Sequence, residues 1–123
     1  MKIFTAAIEK ALKKYGYLSQ DGKGKDAKVI ARLFGGSSCT WYILEGTEDS
    51  DIVYGLANIG YGFEYGTMSR SELESLRFPP FGLGIERDSS VEPLKMTLGE
   101  CMKRYGEKMM NEEMTVGDLF PME

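Results

Sequence analysis

The chain has 123 residues, a formal net charge of −4 and no histidine. Its 42% hydrophobic and 28% charged content is that of a folded globular protein rather than a disordered one. The missing histidine removes the commonest general base, the commonest metal ligand and every Ser-His or Cys-His nucleophile pair.

This length predicts a single domain over 1–123, with a core large enough to stand without disulfides or metals. No apolar run approaches the roughly 20 residues that cross a bilayer. The basic N-terminus has neither an apolar h-region nor a small-residue cleavage site, so a cytoplasmic location is expected. Cys39 and Cys101 then read as reduced packing residues. Charge is uneven along the chain. Residues 1–32 hold eight Lys/Arg against three acids, +5, and the remainder holds seven against sixteen, −9. Such a chain can offer a basic face to an anion despite its acidic total.

Residues 3–15 read as an amphipathic helix, with Phe4, Ile8, Ala11, Leu12 and Tyr15 on one face and Glu9, Lys10, Lys13 and Lys14 on the other. Gly16 stops it, and 19–26 (SQDGKGKD) form a polar Gly-rich loop. Four strand-like runs follow. In 27–34, Val29, Ala31 and Leu33 alternate with Lys28 and Arg32, which puts Arg32 on a solvent face. A Gly35-Gly36-Ser37-Ser38 turn leads to 39–45 (CTWYILE), an acidic turn at 46–51 to 52–58, and a turn near Gly60 to 63–68. The short spacings favour an antiparallel meander. Ser69 and Glu72 open a helix that Pro79-Pro80 must end near Arg77. An elbow at 78–88 precedes a fifth, edge strand at 91–95, where Pro93 is tolerable. Thr97 and Glu100 open a last helix to about 110, and Val116, Leu119 and Phe120 dock a tail at 111–123. The fold expected is α+β: a four- or five-stranded, mainly antiparallel sheet, a meander, with helices packed on one face.

The chemistry-bearing candidates are few. Glu45, Glu64, Glu86 and Asp88 are the carboxylates that burial would tune towards acid/base work. The acidic turn from Glu45 to Asp51 lacks the spacing of a calcium loop. Gly22-Lys23-Gly24-Lys25 carries the amides and charge of a phosphate nest but not a complete P-loop string. Among the sheet aromatics, Trp41 and Phe63 read as core, while Tyr42, Tyr61 and Tyr65 read as contact residues able to stack on a partner. Glu86-Arg87-Asp88, with Arg77 one elbow away, reads as a local ion-pair cluster. The binding residues expected are therefore Lys23, Lys25, Tyr42, Tyr61, Tyr65, Arg77, Glu86, Arg87 and Asp88. No catalytic residue, metal ligand set or cofactor is expected.

In order along the chain, TWYILEG at 40–46, the block YG-x-A…GYGFEYGTMSRSELESLR at 54–77 and FGLGIERD at 81–88 resemble the bacterial family known as domain of unknown function 2958. SQDGKGKDA at 19–27 resembles its Gly-rich entry segment, and Pro93-Leu94 with Thr97-Leu98 its closing one. The resemblance implies a small accessory protein of plasmids, conjugative elements or phages, with an anti-defence role by association and no catalytic residues to carry over. The expected function is thus a binding protein that contacts a host or element-encoded protein, in its sharpest form an inhibitor of a host defence complex of the anti-CRISPR or anti-restriction type. The alternative is nucleic-acid binding through the basic N-terminal segment, and the third is a carboxylate-based hydrolase or nuclease.

Overall fold

Four β-rich runs joined by short connections build an antiparallel meander. The computed structural model describes residues 2–36, 38–46 and 50–109. Strands β1 (Ala31–Gly35), β2 (Cys39–Gly46), β3 (Ile52–Asn58) and β4 (Glu64–Ser69) pair with their chain neighbours, and β5 (Glu86–Arg87) returns to pair with β1. The sheet order is β4-β3-β2-β1-β5, with every pairing antiparallel. Three helices complete the α+β fold: α1 (Ala6–Lys14), α2 (Arg70–Ser75) and α3 (Leu98–Arg104).

The helices lie on both faces of the sheet, not on one as the sequence suggested. On the first face Ala31, Leu33, Trp41, Ile43 and Val53 pack under Ile8, Ala11 and Leu12 of α1 and Leu73 of α2. On the second face Tyr42, Leu44, Leu56 and Phe63 pack under Leu98, Cys101 and Met102 of α3. The reason is legible in β2: its apolar run is uninterrupted, so both parities must be buried, the pattern of a strand covered twice. The same parity buries Arg32, which faces α3 beside Tyr42 instead of solvent.

Local signals place the ends. The Thr5 hydroxyl accepts the Ile8 N–H at the start of α1, and the Ser69 hydroxyl accepts the Glu72 N–H at the start of α2. Thr97 and Glu100 cap each other reciprocally at α3. The fifth strand is at Glu86–Arg87 rather than at 91–95. The later segment instead docks its backbone on the residues before β1, the Leu94 N–H donating to Val29 O and the Val29 N–H to Met96 O. Ser37, residues 47–49 of the acidic turn and the tail at 111–123 lie outside the described residues. Among the described residues no helix is long and apolar enough to cross a membrane.

One irregularity decides where a charge points. The β2–β3 register shifts between Ile43 and Glu45, so Ile43 pairs with Gly55 while Glu45 pairs with Tyr54. Leu44 is the extra residue of a bulge. A bulge re-aims the side chain that follows it, and here Glu45 turns to the second face with Tyr54 instead of into the apolar core under α1. The bulge also presses backbone on backbone: a Cβ on Gly55 would stand 1.8 Å from Tyr42 O. Gly55→Ala is therefore expected to lower stability by about 3 kcal/mol or more, an overpacking that the paired strands cannot relieve. Gly66→Ala, in the edge strand with open space at its Cβ, should change it by no more than about 1 kcal/mol. Urea unfolding of the two variants checks this, and equal midpoints would mean that the bulge yields.

Candidate functional site

The second face holds a buried polar network at the seam between β1, the turn after β5 and the segment after α3. Arg32 is its centre. Its Nη1 lies 3.2 Å from Asp88 Oδ2, its Nη2 3.0 Å from Glu107 Oε2, and its Nε donates to the Tyr42 hydroxyl at 3.2 Å. The guanidinium stacks on the Tyr105 ring, 3.8 Å from the centroid. The Tyr42 hydroxyl donates to Glu107, and the Tyr105 hydroxyl donates to Asp88. Ser90 adds its hydroxyl and its N–H to the other Asp88 oxygen, at 2.6 and 3.0 Å.

The electrostatics follow from these contacts. Burial works against the Arg32 charge, but the hydrogen bonds to Glu107 and Tyr42 outweigh it and hold the guanidinium's pKa above its ordinary value. Burial, reinforced by the Glu107 carboxylate it donates to, pushes the Tyr42 hydroxyl far above a normal phenol. Burial would raise Asp88, yet the bonds from Ser90 and Tyr105 win and hold it below the usual carboxylate range. Burial, with a smaller push from the Asp88 and Glu100 charges, drives the nearby Cys101 thiol up to about 11 against the opposing Arg104 and Arg32. The network's donors and acceptors satisfy one another, which makes it a clamp between chain segments. Glu107 also reaches a cavity of about 450 Å³ at the turn end of the sheet, where Phe34, Cys39, Asn58 and Phe63 form other walls.

The expected site residues are spread over the molecule, and only Tyr42 and Asp88 meet. Tyr42 is wholly buried, so it is no contact residue: its ring belongs to the second core and its hydroxyl to the network. Asp88 takes an ion pair from Arg32, a residue outside the expected cluster. Glu86 is exposed opposite Phe34, and Arg87 lies half-buried opposite Leu33, so alternation along β5 points these two side chains to opposite faces. Arg77 is exposed and donates to the carbonyls of Glu74 and Leu76. Tyr61 stands on the β3–β4 turn, 82% exposed. Tyr65 stacks on Tyr54, with centroids 6.2 Å apart. Lys23 reaches over the Tyr15 ring at 5.6 Å, and the side chain of Lys25 lies against Gly99. The candidate carboxylates are also apart: Glu64 and Glu86 are exposed, Glu45 is buried under the entry loop and Asp88 is engaged in the network. Among the described residues no group of three His, Cys, Asp or Glu side chains is placed to hold a metal ion.

Sequence reasoning missed Arg32, Tyr105 and Glu107. The available signal lay in the partner strand: Arg32 pairs with Tyr42 in β2, whose uninterrupted apolar run marks both faces as inward.

Fold and network define a small α+β protein whose meander is clamped on both faces, with the clamp of the second face closed by an internal ion-pair network. A family model described as "Protein of unknown function (DUF2958)" matches residues 3–105, and the chain belongs to that family. No curated protein and no solved structure matches it.

Two outcomes test the network. Arg32→Met leaves two partly buried carboxylates without their countercharge and should cost about 3 kcal/mol, read as a lower urea midpoint at unchanged slope. Asp88 binds its proton less readily in the folded than in the unfolded chain. Its stabilisation is therefore complete above the unfolded carboxyl value of about 3.9 and is lost as pH falls through the lower folded one. Asp88→Asn should accordingly be less stable at pH 7 and lose less stability than the parent below about pH 5. Parallel pH profiles for the two would remove Asp88 from the clamp.

Proposed function

We propose that this protein acts by binding another protein through the turn end of its sheet. The observation that carries the reading is the exposure of large apolar side chains on neighbouring turns there. Ile59 and Tyr61 on the β3–β4 turn are 62% and 82% exposed, and Phe81 and Leu83 on the elbow after α2 are 82% and 66% exposed. The elbow abuts the β1–β2 turn, because Phe78 covers Gly35 and Gly36. Both turns also border the 450 Å³ cavity, through Gly35, Gly36, Asn58 and Gly62. Scattered exposed apolar residues are ordinary on a protein surface. Aromatic and aliphatic tips gathered on adjoining turns beside a concavity have the make-up of a contact surface. The biological setting we propose, an accessory protein of a mobile element that opposes a host defence complex, is supported by family resemblance alone.

Nucleic-acid binding is the second reading, supported by the gathering of Lys10, Lys13 and Lys14 of α1 with Lys95 around one groove. It is weakened by the burial of Tyr42, which removes one of the rings expected to stack on bases.

A photoreactive phenylalanine analogue placed at position 61 separates the two. The expected result is a crosslink to one protein in host extract, whose purified form binds the chain directly. Replacing Tyr61 and Phe81 together by serine should weaken that binding by about 2 kcal/mol or more while leaving the urea midpoint unchanged. Retention on oligonucleotides at about 150 mM salt with submicromolar affinity, lost when Lys10, Lys13 and Lys14 become Glu, would favour the second reading instead.

A further inference from the structure

The bulge in β2 places a charge beside an aromatic wall, and the pair has no role in the clamp or in the turn surface. A cavity of about 300 Å³ lies on the second face, between the entry loop at Gly22 and Gly24 and the strands β2 to β4. Tyr54 and Tyr65 line it, their rings stacked with an interplanar angle of 9°. Glu45 lines it as well and is only 2% exposed, and Asp21 stands at its rim.

Glu45 is a buried carboxylate with no countercharge among the described residues. Its two oxygens accept the Leu18 N–H at 2.7 Å and the Gln20 N–H at 2.9 Å, and no Lys or Arg among the described residues pairs with it. A carboxylate has about four acceptor positions, so two amides leave capacity for a further donor. Leaving a sealed anion unmatched is costly, and a cation brought into the cavity would offset that cost. The lysines of the loop do not line the cavity: Lys23 Nζ sits over Tyr15, and the side chain of Lys25 runs along Gly99. Burial first, then the Glu45 and Asp21 charges, raise the Tyr54 hydroxyl above an ordinary phenol, which places both acids within electrostatic reach of this wall.

We propose that this cavity binds an organic cation, an ammonium or guanidinium group, against the Tyr54–Tyr65 wall with Glu45 and Asp21 as its counter-anions. Electron-rich ring faces attract such a group, and the volume suits a small ligand or the end of one side chain. The sign is opposite to that expected of the Gly22-Lys23-Gly24-Lys25 loop as an anion nest. The site does not depend on the turn-end surface proposed above.

The test titrates the whole chain with agmatine, choline and a Gly-Arg-Gly tripeptide, followed by tyrosine fluorescence and backbone NMR shifts. Sodium chloride at matched ionic strength and inorganic phosphate are the references. Saturable binding of at least one cation is expected, with shifts confined to residues around Tyr54, Tyr65 and Gly22. Tyr65→Leu and Asp21→Asn, both at exposed positions, should each weaken it roughly five-fold or more, while Tyr61→Ser leaves it unchanged. Binding of agmatine or choline without the tripeptide identifies a free small molecule, and binding of the tripeptide identifies an Arg side chain of a partner; either supports the site. Failure of all three cations to saturate overturns it, as does saturation by phosphate, or affinity unchanged in folded Tyr65→Leu and Asp21→Asn.

Discussion

Arg32 is a full positive charge sealed beneath a helix, and much of the second face is arranged to make that tolerable. A guanidinium out of water needs carboxylates with good geometry and partners for its remaining N–H groups. Here the carboxylates come from two places distant in sequence, Asp88 after β5 and Glu107 after α3, and Tyr42 and Tyr105 fill the remaining sides. The ion pairs thus fix the path of the chain after β5 and again after α3. Apolar packing of Leu98, Cys101 and Met102 presses α3 down. Packing is tolerant of sliding, whereas a forked ion pair has one register.

The two faces of the sheet use different physics. The first is closed by apolar side chains, with α1 and α2 laid on Leu33, Trp41, Ile43 and Val53, and an ion pair of Arg70 with Glu9 lies at the margin where Arg70 also covers the Phe4 ring. The second carries both the buried network and the buried Glu45. Charge has been concentrated where the chain has long, irregular connections to supply partners: the entry loop donates two amides to Glu45, and the 86–91 turn donates Ser90 to Asp88.

How much of this was legible in the sequence depended on how far each cause reaches. Caps act over three residues, so Thr97 with Glu100 and the start at Ser69 could be read directly. Strands β2 and β3 were found almost to the residue, because turns and β-rich runs are local signals. The missed features answer to partners far along the chain. Arg32 finds Asp88 across 56 positions and Glu107 across 75, and nothing near Arg32 announces either. Alternation was applied to β1 with one face assumed wet, and that single assumption sent both Arg32 and α3 to the wrong side. The bulge at Leu44 was invisible because it is a property of two strands in register and not of either alone. Of the Glu86-Arg87-Asp88 triplet, Asp88 joins the network, because its partner Arg32 stands on the neighbouring strand and not within the triplet.

The matched family segment ends at residue 105, and the carboxylate that closes the clamp is at 107. Met109, two residues further on, is buried and bridges to Phe63 beside β4. The unit that similarity delimits and the unit that folds therefore differ at this end by a few residues that carry disproportionate weight. A chain cut where the similarity stops would keep every helix and strand yet leave Arg32 and the Tyr42 hydroxyl short of the acceptor they share. Its secondary structure would look intact while its second face had lost its lock. For a protein of this kind, the place to trim is set by where the last buried charge is answered.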